Sequence, residues 1–407
     1  MAPGFSPLDE ALGLLPGQLT PWLVAGLVRL GASAPFAEAA GILAHFTGTT
    51  VSETTARRAT EAAGAAWVQL ELAEVARLEA DPRGMAVPAP PGRPVQQLSV
   101  DGVLVPLVGG TWAEVKTLAI GTVGRDRAGA VATTDLSYFA RLADAETFGR
   151  EALGELHRRG TARAGVVVAV ADGAPWIQGF LDLHCPAAVR ILDFPHAVGY
   201  LAQAAQAAFG PGTGATSAWL ATQAHELKRG DPDRALAALA ALPAGPARDD
   251  AVRYLTDRRT QIAYAAFSTE GFPIGSGCIE SANKHVVQRR LKGAGMHWGR
   301  DHVNPMLGLR TVAANDRWAT AWPQIAARLR DQTRRGSVAR RAAHRAPVST
   351  PAVAALPVPP QPAPAPPAAT APPTPRPKLV VNGRPTLAHP WKRRLRPRPD
   401  PALPPKL

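Results

Sequence analysis

Apolar residues recur at helical spacing through the first 85 residues of the chain. The segment PFAEAAGILAHFTG is followed by TTVSETTARRATEAAG, which predicts two short helices joined by a tight turn. Ser52 suits the N-cap of the second helix, and Gly31, Gly48 and Gly64 suit helix ends. Residues 1–85 are therefore predicted to be an all-α, helix-turn-helix-like region.

After the Pro/Gly-rich segment AVPAPPGRPVQQ, the pattern becomes rich in β-branched and alternating apolar residues. LSVDGVLVPLVGG, TWAEVKTLAIGTVG and GAVATTDLSYF predict three antiparallel strands. A helix, ADAETFGREALGELHRRG, follows, and then a strand (GVVVAVAD), a helix, a strand (AVRILDF) and another helix. This order, β-β-β-α-β-α-β-α, is that of the ribonuclease H fold, in which the first and fourth strands are neighbours. We expect an α/β domain with a mixed sheet over residues 95–325.

Three further segments complete the predicted organisation. Alanine- and leucine-rich stretches such as PDRALAALAAL predict a helical insertion over residues 200–268. The segment GCIESANKHVVQRRLKG predicts a helix ending near Gly293, and NPMLGLRTVAANDRWATAW predicts one closing helix. Residues 345–407 are rich in Pro and Ala and end in the basic cluster HPWKRRLRPRP, so a largely disordered tail is predicted there.

The positive charge of the chain is concentrated in this tail. The 407 residues carry a formal net charge of +13, and residues 331–407, which include this tail, hold fourteen Lys and Arg against two Asp and thus +12 of that charge. The remaining chain is almost neutral. Any basic groove in the folded part must therefore come from local clustering, whereas the tail attracts phosphate without specificity.

Cysteine usage and apolar run lengths indicate the compartment. The two cysteines, Cys185 and Cys278, fit no zinc spacing and no disulfide framework, which favours a reducing interior. The N-terminal sequence lacks a signal-peptide pattern, and no apolar run approaches the roughly 18–20 residues that cross a bilayer. We expect no membrane partner and a cytoplasmic, nucleoid-associated protein.

Three acidic residues, Asp101, Asp172 and Glu280, provide the candidate chemistry. Asp101 interrupts the apolar run of VDGVLV, Asp172 ends GVVVAVAD, and Glu280 stands at the head of a predicted helix. Two carboxylates at strands and one on a helix suit Mg²⁺, which prefers oxygen ligands, and a metal pair assists phosphodiester chemistry. The alternatives are an Asp-Gly turn for either aspartate and a first-turn glutamate favoured by the helix dipole.

Weaker candidates surround this set. Asp193 and His196 in ILDFPHA stand three residues apart after a strand, where they orient a substrate, donate to phosphate or cap the next helix. A zinc site from His184, Cys185 and His196 lacks both the spacing and a fourth ligand.

Basic and polar residues near two predicted helices are candidate DNA contacts. Arg57 and Arg58 belong to the second helix of the predicted helix-turn-helix region, where the alternative is an ordinary helical hairpin. The other candidates follow Glu280: Asn283, Lys284, Arg289, Arg290, Lys292 and Trp298.

The strings VDGVLVPL, EVKTLAIG, SYFARLADAETFG, DGAPWIQ, ILDFPHA and PIGSGCIESANKHVVQRRLKGAGMHWGR together resemble the ISKra-type family of bacterial insertion-sequence transposases, in the DDE superfamily. The resemblance covers residues 30–325, and the tail motif AHPWKR is also similar. It implies a metal-binding triad of Asp101, Asp172 and Glu280, two Mg²⁺ ions replaceable by Mn²⁺, and a homo-oligomer acting on double-stranded DNA. The spacing of Asp193 and His196 also resembles an element near the active site of related eukaryotic transposases.

Other functions remain open at the level of sequence. A ribonuclease H-like nuclease or resolvase would use the same acids to cleave without joining. A domesticated DNA-binding protein would retain the acids only as part of its fold. A glycosidase with Asp101 and Asp172 as paired carboxylates is disfavoured by the basic tail and the third acid.

Overall fold

A computed structural model describes residues 19–81 and 89–345, together with the pairs 380–381 and 384–385. The chain divides into two units, Met1–Arg345 and Ala346–Leu407. Within the second unit, the described residues form a short antiparallel pair, Val380–Val381 with Arg384–Pro385. The rest of the predicted tail, including AHPWKR, lies outside the described residues. In the described part of the chain, no helix has both the length and the apolar character needed to cross a bilayer.

A five-stranded mixed sheet forms the centre of the first unit. Its strands are β1 (Val95–Pro106), β2 (Trp112–Arg125), β3 (Val131–Arg141), β4 (Val166–Ala171) and β5 (Val189–Leu192). The strand order is β3-β2-β1-β4-β5. The first three strands are antiparallel, and β4 and β5 run parallel to β1. The predicted meander and the predicted pairing of the first and fourth strands are both confirmed.

Three helices precede the sheet: α1 (Pro21–Ser33), α2 (Phe36–Thr47) and α3 (Glu53–Glu79). Ser52 caps α3 as predicted, because its hydroxyl accepts from the backbone N–H of Thr55 at 3.1 Å. The prediction of two short helices is wrong for the second, which has 27 residues. Gly64 does not end it but lies inside it, where a Cβ would stand 2.1 Å from the carbonyl oxygen of Pro305. Glycine there permits two helix backbones to approach closely.

The helices around the strands follow the predicted order. They are α4 (Ala145–Arg158), α5 (Pro175–His184) and α6 (Phe194–Phe209), then the inserted helices α7 (Gly214–Arg229), α8 (Pro232–Ala240), α9 (Pro246–Asp257) and α10 (Tyr264–Thr269). Short 3₁₀ turns occupy Thr161–Arg163 and Arg259–Gln261. The inserted helices pack on β4 and β5 through a core of their own that includes Leu227, Leu255 and Tyr264.

The helical segment that follows the insertion begins with α11 (Gly277–Ala282), continues through a π-helical turn (Asn283–Gln288) and ends with α12 (Arg289–Leu291). The single closing helix predicted from sequence is instead two helices, α13 (Arg300–Ala314) and α14 (Trp318–Arg345). The break occurs because the Asn315 amide pairs with the backbone of Tyr138, accepting from its N–H at 2.7 Å and donating to its carbonyl at 2.9 Å. Asp316 then adopts a positive φ of 52°.

The two faces of the sheet bury different cores. Leu98 and Val100 of β1 pack with α4 and α5 on one face. Val103 and Val105 alternate to the other face, where they join a core with α1, α3 and α13. The N-terminal helices therefore share a core with the sheet. Asp101 is odd-numbered like Val103, so it lies on this second face.

A buried carboxylate joins α4 to the start of α14. Glu155 is 2% exposed, and its two oxygens accept from the guanidinium of Arg317 at 2.6 Å each. Arg158 adds a further bond to Glu155 at 2.5 Å. Burial alone would raise the pKa of Glu155, but the two arginines outweigh it and hold its pKa below the usual range.

Candidate active site

The structure brings Asp101 and Asp172 together on one face of the sheet, where β4 ends beside the middle of β1. The last paired residues of β1 and β4 are Leu98 and Ala169. Asp101 and Asp172 each follow this last pair by three residues, Asp101 within β1 and Asp172 just after the end of β4, so the pairing brings the two aspartates near each other. Residues opposite each other in a ladder share a face, and neighbouring strands lie about 4.8 Å apart. Two carboxylates separated by 71 residues in the sequence therefore interact electrostatically.

The carboxylate of Asp101 is held by two hydrogen bonds. Its Oδ1 accepts from the backbone N–H of Gly102 at 2.7 Å, and its Oδ2 accepts from Nδ2 of Asn283 at 2.7 Å. Burial raises the pKa of Asp101, the carboxylates of Asp172 and Glu114 raise it further, and the two hydrogen bonds only partly oppose this. Within the described residues Asp101 makes no ion pair. Its negative charge is therefore undercompensated, which favours the approach of a cation.

The backbone around Asp172 is fixed by the inserted helices. The carboxylate of Asp172 accepts from the N–H of Ala174 at 2.9 Å and closes a tight turn in which Gly173 has a φ of 79°. The hydroxyl of Tyr254 donates to the carbonyl of Asp172, and Nη2 of Arg258 donates to the carbonyl of Gly173 at 2.9 Å. Two side chains from the end of α9 thus hold the turn that carries the second aspartate.

Aromatic rings surround these contacts. Tyr200 stacks on Tyr254 with ring centroids 4.1 Å apart and planes 13° apart, and the Arg258 guanidinium lies 3.8 Å from the Tyr254 ring. His196 packs against both tyrosine rings at 5.5 and 6.0 Å. Burial raises the pKa of Tyr254 to about 12, so its phenol remains a hydrogen-bond donor at neutral pH.

Sequence reasoning missed Tyr200, Tyr254 and Arg258. A phenol that donates to a carbonyl 82 residues away leaves no local pattern. The one signal in the sequence is a group of aromatic and basic residues, RYLTDRR, within an otherwise alanine-rich insertion.

Asp193 connects two elements of the site. It is buried, and its Oδ2 accepts from the N–H of His196 at 3.1 Å, which caps α6. Its Oδ1 accepts from the N–H of Ser276 at 2.7 Å, immediately before α11. Of the roles that the sequence left open for Asp193, the structure shows capping, together with anchorage of the helix that carries Glu280.

Glu280 lies on α11, which packs over β1 and β2 through Ile279 and Ala282. Asn283, three residues further on, donates to Asp101, and residues three apart in a helix share a side. The side chain of Glu280 is exposed. In the part of the chain that the structure describes, no three His, Cys, Asp or Glu side chains are close enough to hold a metal ion. Glu280 is thus on a helix beside the aspartate pair without forming a three-acid cluster with it.

The donor set nevertheless suits a hard divalent cation. Asp101 and Asp172 present neighbouring carboxylate oxygens, the ligand type that Mg²⁺ and Mn²⁺ prefer. The raised pKa of Asp101 reports an environment that a cation would relieve. Asp101 and Asp172 are the residues that would hold it, and Glu280 lies on the helix that packs beside them.

Five of the predicted DNA-contacting residues are exposed: Arg57, Arg58, Lys284, Arg289 and Lys292. Arg57 is 3.9 Å from the carboxylate of Glu61, within ion-pair distance. The ammonium of Lys292 lies 5.6 Å from the ring of Trp112, itself 58% exposed. These side chains remain available to a polyanion.

Three other predicted DNA contacts are buried, which corrects the expectation for them. Asn283 bonds to Asp101 as described above. Arg290 donates to the carbonyl of Gly31 at 3.1 Å, and its guanidinium lies 4.6 Å from the ring of Phe36 and 5.0 Å from the ring of Trp298. Burial, together with the nearby charge of Arg310, lowers the pKa of Arg290 to about 10.

Trp298 is 6% exposed because its segment extends the sheet. Its carbonyl accepts from the N–H of Val108 at 3.0 Å, and its N–H donates to the carbonyl of Pro106 at 3.1 Å. Trp298 is therefore a core residue and not a surface for bases.

Comparison with known proteins adds no assignment. No family model matches the chain, and no curated protein matches it. The functional conclusion therefore depends on the sheet, on the acidic edge and on the exposed basic residues.

Proposed function

We propose that this protein is a DDE transposase of the ISKra type, which cleaves DNA at the ends of an insertion sequence and joins them to target DNA. One observation carries the proposal: Asp101 and Asp172, each three residues beyond the last β1–β4 pair, interact electrostatically on the side of the sheet that α11 covers. Glu280 belongs to that helix. The order and directions of the five strands support a ribonuclease H-like catalytic domain, in which an acidic set of this kind acts on phosphodiesters.

The proposed chemistry consists of two displacements at phosphorus. In the first, water attacks a phosphate at the end of the element, and the bond to a 3′-oxygen breaks and leaves a free 3′-hydroxyl. In the second, that hydroxyl attacks a target phosphate, and a target 3′-oxygen leaves. Divalent cations held by the acids would neutralise charge on the phosphate and lower the pKa of the attacking oxygen.

The protein side chains have distinct roles in this proposal. Asp101, Asp172 and Glu280 would hold the divalent cations, and the amide of Asn283 orients the Asp101 carboxylate through a hydrogen bond. Phosphoryl transfer depends mainly on position and electrostatics, so this preorganisation is the main contribution of the protein.

DNA binding in the proposal depends on the exposed cations. Arg57 and Arg58 near the start of α3 would contact the ends of the element, and Lys284, Arg289 and Lys292 would contact phosphates beside the acids. The basic tail would add non-specific attraction. Because two ends must be joined, the working form would be at least a dimer.

The test uses Asp101→Asn, Asp172→Asn and Glu280→Gln in cleavage and strand-transfer assays with pre-cut ends. Each variant should lose cleavage and joining by about a hundredfold or more, since even partners of metal ligands contribute 10–100-fold. Binding to end DNA should persist. Asp182→Asn, which alters an exposed carboxylate on α5 (side chain 67% exposed), is the matched control and should retain activity.

The outcomes separate the rival functions. Cleavage without joining in the parent protein would indicate a nuclease or resolvase. Binding to end DNA without either reaction would indicate a non-catalytic DNA-binding protein. Substantial activity in one acid variant would remove that residue from the triad.

A further inference from the structure

The inserted helices pack on β4 and β5, and they also contact the turn at the end of β4 that contains Asp172. Tyr254 lies on α9 and Arg258 follows it directly, and both donate to carbonyls of the Asp172–Gly173 turn. A tight turn after a strand normally leaves such carbonyls to solvent. Here a separately folded stretch of chain supplies both donors.

The two donors are themselves held rigidly. The Arg258 guanidinium stacks on the ring of Tyr254 at 3.8 Å, and its Nη1 donates to the Tyr254 carbonyl at 3.2 Å. Tyr200 covers the other side of the Tyr254 ring at 4.1 Å. A ring stacked in this way has little rotamer freedom, so its hydroxyl defines a fixed point in space.

A chain of contacts therefore runs from the insertion to the second aspartate. Tyr254 and Arg258 bind the carbonyls of Asp172 and Gly173, and the N–H of Ala174 binds the Asp172 carboxylate. The positive φ of Gly173 closes the turn that contains these groups. Carbonyl and carboxylate of Asp172 share one residue, so a rotation of the turn would move both. Where catalysis depends on the position of a group, a displacement of about 1 Å is enough to reduce the reaction rate about a hundredfold.

We propose that Tyr254 and Arg258 are positioning residues, through which the inserted helices set the orientation of Asp172 towards Asp101. This inference rests on the proposed function for its catalytic consequence. Neither side chain needs to touch DNA or metal. The role explains why an insertion between β5 and α11 is compatible with an acidic site built from strands: it completes the support of that site.

The experiment compares two tyrosines with the same kind of bond. Tyr264 also belongs to the insertion, and its hydroxyl donates to the carbonyl of Leu192 at 2.8 Å, at the end of β5. Tyr254→Phe and Tyr264→Phe each remove one hydroxyl that donates to a backbone carbonyl, from a half-buried tyrosine and a buried tyrosine respectively. Both substitutions should lower thermal stability. Only Tyr254→Phe should lower the single-turnover cleavage rate, by about tenfold, because the free energy of one hydrogen bond corresponds to about a tenfold change in rate. Affinity for end DNA should be unchanged in both.

A second pair tests the arginine. Arg258→Lys removes the stacked guanidinium, and Arg253→Lys alters an exposed arginine on α9 that pairs with Asp250. Only Arg258→Lys should slow cleavage.

Binding of Mn²⁺, followed by electron paramagnetic resonance on the full chain, is independent of DNA cleavage. The Asp172→Asn variant gives the resonance signal expected when the site at Asp101 and Asp172 does not bind Mn²⁺. Tyr254→Phe should weaken Mn²⁺ binding severalfold, and Tyr264→Phe should not. If the parent protein binds Mn²⁺ but cleaves no DNA, the proposed function fails while this comparison still decides the positioning role. Equal rates and equal Mn²⁺ affinities in Tyr254→Phe and Tyr264→Phe would overturn the inference.

Discussion

Glu155 and Asp101 are both shielded carboxylates in one unit, and their surroundings are opposite. Glu155 receives two bonds from Arg317 and one from Arg158, which hold its pKa low. Asp101 receives only a backbone N–H and an amide, beside a second carboxylate, and its pKa is raised. The first is a neutralised ionic joint between helices. The second carries a negative charge that no ion pair among the described residues neutralises.

This difference separates structural acids from candidate catalytic acids without reference to sequence patterns. A fold selected for stability alone pairs its buried carboxylates or replaces them. A site that must bind a cation has to leave its acids unpaired until the cation arrives, and proteins tolerate the resulting loss of stability for the sake of activity. The comparison gives three predictions about stability.

The largest effect is expected at the neutralised acid. Arg317→Met should lower the free energy of unfolding by about 3 kcal/mol, because it leaves the Glu155 carboxylate buried with one arginine fewer. Urea unfolding followed by circular dichroism measures it. Arg335→Met, on the exposed side of α14 (Arg335 side chain 80% exposed), is the control and should be nearly neutral. The double variant Arg317→Met with Glu155→Gln should regain part of the loss, and no regain would show that Glu155 is not the cause.

The next effect concerns the unneutralised acid and its external partner. A divalent cation at a hundredfold excess over its dissociation constant should raise the free energy of unfolding of the parent protein by about 2.7 kcal/mol. Asp172→Asn should remove most of this increase. Unfolding in Mg²⁺ and in EDTA provides the measurement. Equal stabilisation of the parent and of Asp172→Asn would place the cation elsewhere.

The smallest effect is a gain. In EDTA at pH 7, Asp101→Asn should raise the free energy of unfolding by about 1 kcal/mol while abolishing cleavage, because it removes the uncompensated charge. The folded pKa of Asp101 is raised, so parent stability falls as pH rises from the unfolded pKa through the folded one. The gain should therefore vanish below about pH 4, where aspartate is protonated in both states.

The same measurement on Glu155→Gln should give a change in the free energy of unfolding of the opposite sign, which is a loss. The folded pKa of Glu155 is lowered, so its stabilisation is present above the usual value of 4.5 and is lost as pH falls through the folded pKa. The two variants should thus diverge from the parent in opposite directions at neutral pH. A loss of stability in Asp101→Asn at pH 7 would contradict the comparison.

The sheet was predictable from sequence because its strands have strong local patterns. The apolar runs around Asp101 and Asp172 and their Gly-bearing ends determined the strand positions, and the order of elements indicated which strands are neighbours. Ser52 was predictable as a cap for the same reason, since a cap acts within three residues.

The failures share a different cause, which is that the deciding partner is distant in sequence. Gly64 is set by Pro305, and the helix break at Asn315 is set by Tyr138. Arg290 was predicted to contact phosphate because it belongs to a run of basic residues, yet its guanidinium packs on the rings of Phe36 and Trp298. No periodicity in the chain records such pairings.

The contacts of Arg290 and Arg310 have one more consequence, which concerns the chain during its synthesis. They donate to the carbonyls of Gly31 and Ala32, at the end of the first described helix, at 3.1 and 3.4 Å. A ribosome adding 5–20 residues per second needs roughly 13 to 56 s to cover the 259 and 278 residues that separate these partners. During that interval the apolar faces of the early helices lack their final cover. The newly made chain therefore exposes these helices to chaperones and proteases until the segment that carries Arg290 and Arg310 has been made.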